Sequence, residues 1–100
     1  GGIFSVATEA DGDVHIRLAP DAPSLINAVN VSGQKGKLVI EPVCVGTVTQ
    51  SDAVSACAGY TNTVTIPKVG DRVTITGSFV SDSQHGGWNE IHPVTSITPL

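Results

Sequence analysis

A chain of 100 residues with a net charge of −4 and only five basic side chains has the size of one domain. It disfavours nucleic-acid binding, whose non-specific affinity comes mainly from lysine and arginine on phosphates. No apolar run approaches the roughly 20 residues that a bilayer-spanning helix needs, and valine, isoleucine and threonine dominate a sequence with eleven glycines and six prolines, a composition of pleated strands and turns. Methionine is absent, so Gly1-Gly2 is expected to be an expression or cleavage remnant, with a single domain over 3–100.

Ile3 to Ala10 reads as a first strand closed by the turn Asp11-Gly12, because Asp-Gly between apolar segments is a hairpin signal. Asp13 to Ala19 alternates: Val14, Ile16 and Leu18 point one way, Asp13, His15 and Arg17 the other. Pro20 to Lys35 is a long connection in which Ser24 to Val31 can hold a helical turn capped by Ser24. Its Asn30-Val31-Ser32 matches a glycosylation sequon. Lys37 to Val45 is the next strand, with Pro42 at an edge or bulge. Gln50 to Tyr60 is the helix candidate, capped by Ser51 and ended by Gly59.

Thr61 to Ile66 is a short extended piece and 67–71 a turn. Arg72 to Val80 alternates again, with Val73, Ile75 and Phe79 on one face. Gly77 marks a bulge or sharp bend. Ser81 to Gly87 is a polar loop, and Asn89 to Ile97 the last strand. The expectation is an all-β fold with one short helix, a small five-stranded OB-like barrel. Cys44 and Cys57, with twelve residues between them, suit a disulfide closing a short loop, worth about 3 kcal/mol in the chain-entropy model; two buried thiols are the alternative. The disulfide and the low charge point to an exported domain, extracellular or in the cell envelope.

Three segments carry a resemblance: Asp11-Gly12-Asp13-Val14-His15-Ile16-Arg17-Leu18, Val39-Ile40-Glu41-Pro42-Val43-Cys44, and Val73 to Gly77 running through His85 to Glu90-Ile91-His92-Pro93-Val94. Over residues 3–97 the chain resembles a group of uncharacterised exported prokaryotic domains with a DGD-h-H-h-x-L … E-x-x-C … H-G … E-h-H-P-V pattern, where h is apolar. The resemblance implies an OB-like barrel and brings no activity. A second, fainter similarity is to thermonuclease-type enzymes, also OB-like, with an Asp-Gly-Asp turn near catalytic acids. This chain lacks their basic character and an arginine pair to clamp phosphate.

The three histidines fall in two segments that also carry carboxylates. Asp13 and His15 share a strand face, as do Glu90 and His92; Glu41 precedes Pro42, and His85 opens the loop before Trp88 and Asn89. These eight residues are the candidate ligand-binding set. Imidazole with carboxylate can bind a divalent metal, with His15, His85, Glu90 and His92 as candidate ligands, or perform acid–base chemistry. The competing explanation is a cross-strand polar network that fixes register. In that explanation Trp88 covers a barrel mouth with its indole N–H on a loop carbonyl, His85 and Asn89 brace the Gly86-Gly87 turn, and Arg17 pairs with Glu41 or Glu90. No catalytic residue is assigned. The leading expectation is a non-enzymatic exported binding module for an unknown protein or small molecule; the rival is a metal-dependent hydrolase of the phosphodiesterase or nuclease kind built on the same cluster.

Overall fold

The structure, a computed structural model, describes residues 1–9, 12–45, 64–83 and 86–100. Five strands form one sheet: β1 (Gly2–Thr8), β2 (Val14–Ala19), β3 (Leu38–Ile40), β4 (Val73–Asp82) and β5 (Trp88–Pro99). Their order across the sheet is β1-β2-β3-β5-β4. β3 and β5 run parallel; the other neighbours are antiparallel. The sheet is not closed. β1 and β4 meet at one bridge, Gly2 opposite Arg72, reinforced by Ile3 N–H to Asp71 O at 2.8 Å and Val73 N–H to Gly1 O at 2.9 Å. Gly1 and Gly2 are thus hydrogen-bonded into the sheet. The all-β expectation holds at this level.

Alternation in β2 fixes which face becomes the core. Val14, Ile16 and Leu18 are buried, packed with Ile3, Leu38, Ile40, Val73 and Val94. A one-residue slip would move this set to the polar face, so burial itself specifies the register. The β1–β2 loop closes with Gly12 N–H on Glu9 O at 3.1 Å, and Gly12 has φ 86°, which only glycine adopts at little cost. Asp11 and Ala10 lie outside the described residues.

Several boundaries differ from the sequence expectation. β3 spans three residues rather than 37–45. Pro42, fully buried, has no N–H to continue a ladder; its carbonyl instead accepts from Val14 N–H at 3.0 Å. The connection after β2 forms a 3₁₀ turn, Pro23–Leu25, and then helix α1, Ala28–Gly33. Asn27 rather than Ser24 caps α1: its side chain accepts from the backbone N–H of Val29 and Asn30, and the Asn30 side chain returns a bond to the Asn27 N–H. An asparagine pair three apart makes a reciprocal cap, whereas Ser24 lies inside the 3₁₀ turn. The helix expected over 50–60, residues 61–63 of the extended piece and Cys57 lie outside the described residues. No free cysteine stands among those that are described.

Gly77 sits between two register shifts in the β4–β5 pair. From Thr76 to Phe79, β5 advances two residues more than β4, so the extra residues belong to β5. The β5 backbone therefore crowds Gly77: a Cβ there would overlap the Pro93 carbonyl oxygen and Ile91 Cγ2. Beyond the shift Phe79 stays on the face of Val73 and Ile75, opposite Ile91, but it is exposed there rather than covered. Gly77→Ala is expected to lower stability by about 1–3 kcal/mol, as overpacking does, read from the urea midpoint at unchanged m-value.

Candidate functional site

The face opposite the core carries the chemistry. Since Val14, Ile16 and Leu18 point inward, His15 and Arg17 stand on the other side. Strand register extends that face: Arg17 lies opposite Val39, and Val39 opposite Glu90. Glu41 and His92 follow by alternation. Three adjacent strands or strand ends thus deliver His15, Glu41, Glu90 and His92 to one surface.

This surface is partly roofed by the connection between β2 and β3, which explains why Glu90 is only 2% exposed although it leaves the core. Asn30, on α1 and fully buried, is the stitch that holds the roof down. Its Nδ2 donates to Lys37 O at 2.8 Å and Asn89 O at 3.0 Å, while its Oδ1 accepts from Asn89 N–H at 2.9 Å and Asn27 N–H at 3.1 Å. The amide side chain behaves as one extra peptide unit between the starts of β3 and β5. Asn89 secures the roof further, its Nδ2 donating to Leu25 O and its Oδ1 accepting from Ser81 Oγ and Asn27 Nδ2. It braces the 3₁₀ turn rather than Gly86-Gly87; His85, its expected companion, lies outside the described residues.

The side chains form one chain of contacts. Arg17 Nε donates to Gln34 Oε1 at 2.9 Å, and His15 Nε2 meets the same oxygen at 2.9 Å. His15 Nδ1 meets Glu41 Oε1 at 3.0 Å. The other oxygen, Glu41 Oε2, is 3.5 Å from His92 Nδ1, which contacts Glu90 Oε1 at 3.1 Å. Glu90 Oε2 accepts from Trp88 Nε1 at 3.1 Å, and Trp88 closes the loop with its ring edge-on to His15, centroids 6.4 Å apart. Asp13 flanks the cluster, its Oδ1 accepting from Cys44 N–H at 3.3 Å.

The protonation of His15 follows from its neighbours. Arginine can only donate, so Gln34 must turn its oxygen to Arg17. That same oxygen faces His15 Nε2, which therefore carries a hydrogen. Nδ1 faces a carboxylate and carries one too. His15 is an imidazolium, with both N–H groups used. The hydrogen bond to Glu41 raises its pKa above the usual 6.5; burial opposes, while Gln34 and the charges of Glu41 and Glu9 add to the rise.

The sequence expectation brought Asp13, His15, Glu41, Glu90 and His92 together, and the structure does so. Two details differ. Arg17 pairs with Gln34 rather than with Glu41 or Glu90, and the Trp88 indole donates to a carboxylate rather than to a loop carbonyl. Gln34, Asn27 and Asn30 were not in the expected set. The Asn-x-x-Asn spacing ahead of Val31 was the available signal for the last two; nothing in the sequence marks Gln34.

Two groups have one ligand atom per residue within 4.8 Å of one another: Glu9, His15 and Glu41, and Asp13, Glu41 and His92. A cavity of about 300 Å³ lies elsewhere, lined in part by Leu18, Leu38, Val73, Ile75 and Ile91, and shares no residue with the cluster. Among the described residues no helix is long and apolar enough to cross a membrane. Comparison of the chain with protein-family models, with curated proteins and with solved structures gave no match.

Proposed function

We propose that the chain is a non-enzymatic, exported OB-like module that binds a protein or small-molecule partner across the polar face of Asp13, His15, Glu41, Trp88, Asn89, Glu90 and His92. His85 precedes that face in sequence. The observation that carries this reading is the continuous chain from Arg17 to Trp88. It commits His15 as a doubly bonded cation and Glu90 as a two-fold acceptor, which suits a rigid recognition surface better than a site that must move protons. Strand order, the parallel β3–β5 pair, the β1–β4 bridge and the crowded Gly77 support an OB-like barrel. An oxidising compartment would suit a Cys44–Cys57 bond.

A specific observation favours one rival. Asp13, Glu41 and His92 lie close enough to hold an ion, as a metal-dependent hydrolase would require. Turnover of bis-p-nitrophenyl phosphate and p-nitrophenyl acetate, each with and without zinc or manganese, separates the two. The binding-module reading expects rates equal to those of His92→Gln in every condition. Turnover that His92→Gln abolishes would replace it with the hydrolase.

A further inference from the structure

We infer that the outer edge of β4, from Ile75 to Ser81, is a docking slot for an extended peptide segment of a partner protein. The segment is apolar at alternate positions, carries no acidic side chain, and joins the sheet as a strand antiparallel to β4. The slot has no residue in common with the polar face.

Hydrogen bonding fixes which way β4 presents its backbone. Gly1 and Val73 exchange two bonds, Gly1 N to Val73 O and Val73 N–H to Gly1 O, both at 2.9 Å. Val73 therefore turns its peptide groups away from β5. Arg72 O, Thr76 O and Asp82 O accept instead from Leu100 N–H, Thr95 Oγ1 and Gly87 N–H, on the side of β5. The extra residues at the register shifts belong to β5, so alternation runs through β4 unbroken. Ile75, Gly77, Phe79 and Ser81 thus point N–H and C=O the same way as Val73. Among the described residues nothing pairs with them there, since β1 meets β4 at Gly2 opposite Arg72 and no further along. Exposed edges are usually blunted by charge, proline or brevity. β4 is ten residues long and has neither a charged side chain nor a proline before Asp82.

A cavity beside this edge receives side chains. The space of about 300 Å³ has Val73, Thr74 and Ile75 along one wall and Pro20, Asp21 and Ala22 along the other. The ion pair of Arg72 with Asp21, at 3.0 Å, ties the two walls together next to Gly1. It also neutralises the Asp21 carboxylate, so the slot favours uncharged apolar groups. The volume is about twice that of a cavity that holds benzene, enough for about two leucine-sized side chains. Directly paired residues of antiparallel strands share a face, so a residue opposite Ile75 enters the cavity. A residue opposite Phe79 lies against its half-exposed ring. Main-chain bonds along an edge with pockets for alternate side chains define peptide recognition by strand addition.

Direction and occupant follow from β1. It runs antiparallel to β4 at Gly2, and a strand in line with it keeps that direction. A second copy docked through its own β4, centred on Gly77, would bring that copy's Ser81 and Asp82 opposite Val73 and Arg72, where Gly1 and Gly2 already stand. The net charge of −4 disfavours acidic segments as well.

The test uses the full chain and a capped, fluorescein-labelled peptide of alternating valine and threonine with a lysine tail. Anisotropy is expected to show saturable one-to-one binding. With valine side chains in the slot, the valine N–H groups face β4. Methylating the valine nitrogens is therefore expected to weaken binding at least about tenfold, and methylating the threonine nitrogens to change it less than about twofold. Phe79→Lys is expected to weaken binding at an unchanged urea midpoint. Amide hydrogen exchange reads the edge itself: Ile75, Gly77, Phe79 and Ser81 are expected to exchange fast in the free protein and slowly with peptide bound, while Thr74 stays slow throughout. Three results each overturn the assignment: no saturable binding, equal losses from the two methylated peptides, or slow exchange of those four amides without peptide. The last would mean that the chain itself covers the edge or, where protection grows with concentration, that a second copy does. None of the three bears on the polar-face reading, whose residues lie on another surface.

Discussion

Asn30→Ala is expected to destabilise the domain by about 3–5 kcal/mol. The side chain is fully buried and makes four hydrogen bonds, two as donor and two as acceptor. Each is worth about 1 kcal/mol, and each buried partner left without one costs about 1–3 kcal/mol more. Lys37 O, Asn89 O and Asn89 N–H all lose their partner at once. Some of that loss is recovered if water enters the space, which keeps the expected value below the sum. Against a total stability of about 5–15 kcal/mol for a domain, the change is large enough to move the urea midpoint by half its value. Asn30→Asp discriminates the mechanism, since a carboxylate accepts from Asn89 N–H but cannot donate to Lys37 O or Asn89 O. It should be nearly as damaging as alanine at neutral pH. A loss under about 1 kcal/mol in both variants would mean that Asn30 fills space and does not stitch the sheet.

Glu41→Ala should be the second most damaging change, and its effect should depend on pH. His15 is held as a cation chiefly by its hydrogen bond to Glu41, so its folded pKa lies above the unfolded 6.5. A group raised on folding contributes fully below the unfolded value, and the contribution is lost as pH climbs through the folded one. Breaking a buried ion pair costs about 3–5 kcal/mol; partial exposure of His15 brings the expected loss at about pH 6 down to about 2–3 kcal/mol. At alkaline pH, above the raised folded value, the unaltered protein has given up the same stabilisation, so the difference between the two should shrink. Denaturation in chelator at both pH values measures it. Equal losses at the two values would show that His15 is not the charged partner.

Sequence patterns made part of this architecture legible. Strict alternation in β2 identified the inward set of Val14, Ile16 and Leu18, and with it the polar face of His15 and Arg17. The same reasoning put Glu90 and His92 together at the other end of the chain. Gly77 was readable as a point of close approach because a strand has little other use for glycine. What stayed hidden was non-local. Phe79 shares the face of Val73, as its even spacing implies, yet it is exposed, and nothing local to β4 marks where the cover of that face ends. Gln34 joins Arg17 and His15 from a connection with no periodicity of its own. Asn30 matched a glycosylation sequon, yet its amide is consumed between two strands and fully buried. Whether a polar residue in a long connection faces solvent or replaces a peptide group depends on strands that lie some sixty residues away.

The strand order has a consequence for how the chain acquires its structure. β5, the final segment, is not an edge; it lies between β3 and β4 and bonds to both. The β1–β2 hairpin can form early from neighbouring residues, but β3, α1 and β4 have no common scaffold until Trp88–Pro99 arrives. Closing such distant pairings is slow because loop entropy is spent before any contact repays it. A nascent chain that stops short of residue 88 would expose β3, with all three of its residues apolar, and β4 with neither its inner neighbour nor its cover. Chains that stop before residue 88 should therefore be insoluble rather than partly folded, since β5 must be present before β3 and β4 can share one sheet.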